Sequence, residues 1–141
     1  ATKIADAFKN HGIEIEVIDM RSTSPMDHQT VVASVCKTSR LLVLDTSWIT
    51  CGVSAELVAR VTEEAFKKLK VAPARIALPD LHTPTSSTLS EEFYPTLQEI
   101  GEKALNILSI ETSSGKGRQI LNELRTEGPL DIPFIDFKGP F

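Results

Sequence analysis

The sequence predicts an α/β domain, a three-layer α/β/α sandwich built on a mostly parallel sheet. Three observations lead there. Leu41-Leu42-Val43-Leu44 is a continuous apolar run, which suits a parallel strand covered on both faces. A polar turn follows, then a helix-period segment with Ala55, Val58, Val61, Ala65 and Leu69 three or four residues apart. A second short run, Ala74 to Leu78, comes next, so strand, helix and strand alternate with short connections.

Composition narrows the class. The 141 residues are 41% hydrophobic, enough for one globular core. The net charge is −4 with acids and bases interleaved, and no basic patch invites nucleic acid. No apolar run is long enough to span a bilayer, so no membrane partner is expected. Cys36 and Cys51 lack metal-ligand spacing and fit a reduced compartment, the cytoplasm or a mitochondrial matrix.

The chain opens on a helical face of Ala1, Ile4, Ala5 and Phe8, with Gly12 as the stop. A helix in an α/β domain normally follows a strand, and only three strands can be read in this sequence. The expectation is therefore the C-terminal part of a longer polypeptide, with strands preceding Ala1, or a chain whose natural start has been removed. Glu14 to Met20 reads as a strand. Ile15 and Val17 alternate with Glu14 and Glu16, and Ile18 and Met20 then shift the phase. Arg21 to Met26 is a turn, where Pro25 blocks helix. Asp27 is placed to cap a helix through about Lys37, buried by Val31, Val32 and Val35.

In the central stretch Asp45 ends the strand and Thr46 to Gly52 is a turn. A helix begins near Val53 with Glu56 in its first turn, where the helix dipole favours an acid. Pro79 to Thr88 is a loop rich in Pro, Thr and Ser, and Thr88-Leu89-Ser90-Glu91 has the form of a capping box. A helix over about Thr96 to Leu108 turns Leu97, Ile100, Ala104 and Leu108 inward, with Pro95 in its first turn. The α/β domain is expected over 1–109, and 110–141 reads as an extension. Within it Ser113 to Gly117 is a flexible link. Arg118 to Thr126 is a short helix with Ile120, Leu121 and Leu124 apolar, stopped at Gly128-Pro129. Asp131 to Phe141 is an extended Pro/Phe tail that docks on its own domain or on a partner.

Residues with chemical potential are sparse. His11, His28 and His82 are far apart, and each reads more simply as a surface or capping residue than as an acid or base. Asp45 and Asp80 end strands, where ligands of open α/β sheets gather; the plainer reading is that they bond turn amides. Thr50-Cys51-Gly52 at a helix N-terminus has free amides for an anion, without the glycine spacing of a phosphate loop. The Ser113 to Gly117 run also fails the phosphate-loop pattern, because Lys116 is followed by Gly. Trp48, the only tryptophan, is either a lid on the core or an interface anchor. The candidate interface or anion site is thus Trp48, Thr50, Cys51, Gly52, Asp45 and Asp80. No nucleophile–base–acid set and no metal cluster can be assembled.

An ordered set of short matches covers nearly the whole chain. Gly12-Ile13-Glu14, Val17-Ile18-Asp19-Met20-Arg21 and Ser24-Pro25-Met26-Asp27 come first. Ser34-Val35, Lys37-Thr38, Arg40-Leu41, Asp45, Trp48, Gly52-Val53, Ala55-Glu56 and Glu64-Ala65-Phe66 follow. Pro79-Asp80, Thr83-Pro84-Thr85, Phe93-Tyr94-Pro95 and the ending Phe137 to Phe141 complete it. Together they resemble the C-terminal domain of transketolase-like thiamine-diphosphate enzymes. The likeness is greatest to the beta subunit of the decarboxylating component of 2-oxo-acid dehydrogenases, of pyruvate or branched-chain type. Three departures stand out: Lys70-Val71 where Asp often precedes Ala-Pro, His82 where Pro is common, and a longer tail after Leu108.

The resemblance implies a five-stranded sheet whose first strand is antiparallel, with the two strands not seen here preceding Ala1 and one of them central. It implies an assembly and docking domain of an oxidoreductase. Thiamine diphosphate and Mg would belong to the parent enzyme and not be bound by this domain, and no residue here would be catalytic or cofactor-binding. The implied partners are the rest of the same subunit, an alpha subunit, a second beta subunit and the acyltransferase core. Two alternatives stay open. One is an independent flavodoxin-like domain that binds a small anion near Asp45, Thr50 and Asp80. The other is the equivalent domain of transketolase or deoxyxylulose-phosphate synthase.

Overall fold

The computed structural model describes residues 1–125, and the expected Gly128-Pro129 stop and the 131–141 tail lie outside them. The described elements are α1 (Thr2–Asn10), α2 (His28–Thr38), β1 (Leu42–Trp48), α3 (Val53–Ala65), β2 (Ala74–Leu78), α4 (Ser87–Phe93), α5 (Leu97–Ile107) and α6 (Gly115–Glu123), with a 3-10 turn at Phe66–Lys68. β1 and β2 pair in parallel, with Leu42 opposite Ala74 and Leu44 opposite Ile76. An α/β class with a parallel sheet is what the alternation predicted.

Two apolar clusters lie against alternate side chains of β1. Leu42 packs on a cluster of Ile4, Ala7, Phe8, Ala104, Leu105, Ile120 and Leu124, drawn from α1, α5 and the α6 region. Leu41 and Val43 pack on a cluster of Val31, Val35, Leu57, Val61 and Ala65, from α2 and α3. Successive strand side chains point to opposite faces, so the sheet is the middle of three layers. The run 41–44 is half-buried rather than fully covered, and Leu44 is exposed.

Several expectations need correction. Glu14 to Met20 forms no strand with any described residue. Its period of two is nonetheless unbroken. Ile13 and Ile15 pack on the first cluster and Ile18 and Met20 on the second. The apparent phase shift is a transfer of apolar side chains from one face of the layer to the other, both faces being covered by helices. β1 does not end at Asp45 but runs to Trp48, with its register shifting against β2 between Leu44 and Trp48. In α3 the buried positions are Ser54, Leu57, Val61 and Ala65, with Ala55 and Val58 only half-buried.

The anticipated capping box at Thr88 is absent, because α4 already starts at Ser87. The same pattern eight residues later forms one: the Thr96 hydroxyl accepts from the Glu99 amide at 3.1 Å, and the Glu99 carboxylate accepts from the Thr96 amide at 2.7 Å. Pro95 therefore precedes the cap rather than sitting in the first turn. The Ser113 to Gly117 link is ordered too. Ser114 accepts from the Gly117 amide and caps α6, while Gly117 is packed so closely that a Cβ there would lie 2.4 Å from the Glu111 carbonyl oxygen. The cap at Asp27 is as predicted, with its carboxylate accepting from the Thr30 amide at 3.2 Å and the Thr30 hydroxyl at 2.7 Å.

Candidate functional site

The carboxyl ends of β1 and β2 open into two loops, 49–52 and 79–86; these carry Thr50, Cys51, Gly52 and Asp80 of the predicted site, while Asp45 and Trp48 lie on β1 itself. The register shift in β1 turns Asp45 toward the start of α3. Its carboxylate accepts from the Ser47 amide at 2.9 Å, the Ser47 hydroxyl at 2.6 Å and the Ser54 amide at 2.8 Å. Partial burial pushes the Asp45 carboxyl up, but these hydrogen bonds outweigh it and hold it below the usual carboxylate range. An ionised carboxylate thus sits on the amide end of α3, where the helix dipole favours negative charge.

Gly52 is the residue before α3 and is buried in that same corner. A Cβ on it would lie 2.3 Å from the Trp48 carbonyl oxygen, 2.4 Å from Ser47 Oγ and 3.2 Å from Asp45 Oδ2. Cys51 beside it is exposed and has φ +57°, a left-handed turn position. Asp80 closes the second loop onto the first: one carboxylate oxygen accepts from the Thr50 amide at 3.1 Å and the other from the Thr50 hydroxyl. Arg75 on β2 donates to the Ile49 carbonyl at 2.8 Å. Asp45 and Asp80 therefore bond turn amides, the plainer of their two readings.

This corner does not fit a diphosphate. Asp45 already holds the amide end of α3, and the space at Gly52 is filled by the Trp48 carbonyl oxygen, Ser47 Oγ and Asp45 Oδ2. No group of three His, Cys, Asp or Glu among the described residues is placed to hold a metal ion.

Three large apolar side chains are exposed among the polar residues at this end of the sheet. Trp48 is 51% exposed, Leu81 64%, and Val53 is exposed at the start of α3. His82 meets Trp48 edge-to-face, with ring centroids 6.4 Å apart and planes at 77°. The structure thus brings Trp48, Thr50, Asp80 and His82 together, and sets Asp45 and Gly52 beneath them. Sequence reasoning missed Leu81 and the Trp48–His82 contact. The available signal was a leucine and an aromatic ring inside an otherwise polar Pro/Thr loop.

The other two histidines tie helices. His11 Nε2 lies 2.7 Å from Glu123, joining the end of α1 to α6, and His28 Nε2 lies 2.9 Å from Glu64, joining α2 to α3. Neither lies in the strand-end loops.

Residues 1–100 match the family of the transketolase C-terminal domain. The chain belongs to that family. It is 40% identical over 102 residues to the mitochondrial pyruvate dehydrogenase E1 component subunit beta of Chaetomium thermophilum, covering 72% of this chain and 27% of that protein. It is 33% identical over 114 residues to the acetoin:2,6-dichlorophenolindophenol oxidoreductase subunit beta of Bacillus subtilis, covering 75% of this chain and 33% of that protein. Identity to the human mitochondrial pyruvate dehydrogenase E1 component subunit beta is 36% over 107 residues, 73% of this chain and 30% of that one. The chain spans about a third or less of the length of these relatives. No helix among the described residues is long and apolar enough to cross a membrane.

Proposed function

We propose that this transketolase C-terminal domain is the assembly and docking domain of a thiamine-diphosphate-dependent 2-oxo-acid dehydrogenase beta subunit. It contributes to oxidative decarboxylation without carrying the catalytic centre, in the cytoplasm or a mitochondrial matrix. Thiamine diphosphate and Mg belong to the parent enzyme and are held outside this domain. The observation that carries the reading is the corner itself. Its carboxylates and amides are spent on one another, and an apolar rim of Trp48, Val53 and Leu81 faces out. Such a rim is a surface for protein and not for an anion.

The partner we propose for this rim is a second copy of the subunit. A twofold interface places the same patch on both sides, so it must be self-complementary. An apolar patch meets that condition, whereas free carboxylates would face their own like charges. Asp45 and Asp80 turn their carboxylates to Ser47, Ser54 and Thr50, which leaves Trp48, Val53 and Leu81 as the apolar part of the patch. The alpha subunit, the rest of the same subunit and the acyltransferase core attach by other surfaces. The free edge of β1 is the place where a further strand, supplied from outside the described residues, extends the sheet.

Two measurements test this on the chain. Titration with thiamine diphosphate, pyruvate and inorganic phosphate is expected to show no saturable binding. Sedimentation is expected to show a dimer that Trp48→Ala weakens about tenfold or more, the usual loss for a central aromatic anchor. Saturable binding of any of the three ligands would instead favour the anion-binding alternative. A monomer unaffected by the substitution would remove the second copy as the partner.

A further inference from the structure

We draw no further inference here: the strongest candidate, the surface patch after α3 where Phe66 is exposed beside Lys67, Lys68 and Lys70, carries nothing, because nothing in the structure shows what covers it.

Discussion

Gly52 is the residue at which the strand-end corner has least room. Its would-be Cβ meets a backbone oxygen at 2.3 Å, and a backbone oxygen cannot turn aside as a side-chain tip can. Gly52→Ala is therefore expected to lower stability by roughly 1–3 kcal/mol, toward the upper end, read from the urea midpoint. A change within error would mean that the backbone at Trp48 makes room for the added methyl group. Asp45, packed against the same glycine, sets part of the response to acid. Its folded-state carboxyl is held below its unfolded value, so its stabilisation is complete above about pH 4 and is lost as pH falls through the folded value. Asp27, bonded by Thr30, and Glu123, bonded chiefly by His11, are lowered as well and act with the same sign. Asp45→Asn is expected to lower stability at pH 7 and to flatten, without abolishing, its decline below about pH 4. An acid decline identical to that of the parent chain would show that Asp45 is not lowered by these bonds. The roles of Asp45 and Asp80 were legible as one of two readings. Nothing in the sequence chose between them, because a strand-end carboxylate suits a turn amide and a ligand equally well.

At the scale of elements, the caps divide the readable from the unreadable. Thr88 and Thr96 each begin a Thr-x-x-Glu pattern, and only Thr96 uses it, because α4 starts one residue before Thr88. Thr96→Ala is expected to cost about 1 kcal/mol, the usual loss of an N-cap hydroxyl, while Thr88→Ala stays near neutral. Equal effects would mean that both caps form. α6 shows a different failure. A Ser/Gly-rich stretch suggested a flexible link, and composition alone could not show that Ser114 caps a helix and that Gly117 lets it approach the Glu111 backbone. Ile120 and Leu124 of that region are fully or almost fully buried beside Phe8 and Leu105. Residues past 109 are thus part of the first cluster, and Ile120→Ala is expected to cost roughly 2–5 kcal/mol by thermal or urea unfolding. A loss under about 1 kcal/mol would return α6 to the status of a detachable extension. The phase of α3 was misjudged for a related reason. Val58 and Leu57 are equally apolar on paper, and the rotation of about 100° that decides between them is set by where α2 and the sheet lie.

For the whole molecule, the sheet is the open question that the two clusters frame. Segment 13–20 touches both of them, as β1 does, yet it makes no ladder bond with any described residue, and among the described residues β1 is paired along one edge alone. Val17 and Leu44, from the segment and from β1, are both left exposed. Two paired strands are marginal without helices packed on them, so the stability of this chain resides in the helical layers and their side chains rather than in backbone pairing. That division has a measurable form. Amide hydrogen exchange reports local opening, and an amide without a partner is open already. In the isolated chain the amides of residues 14–19 are expected to exchange about a hundredfold or more faster than those of Leu57 and Val61 in the middle of α3. Comparable protection in the two places would mean that the segment is paired in solution and that the edge is closed by this chain itself. Fast exchange that slows in a polypeptide extended upstream of Ala1 would show that residues 14–19 find ladder partners there, and with it the difference between a packed helical scaffold and a finished sheet.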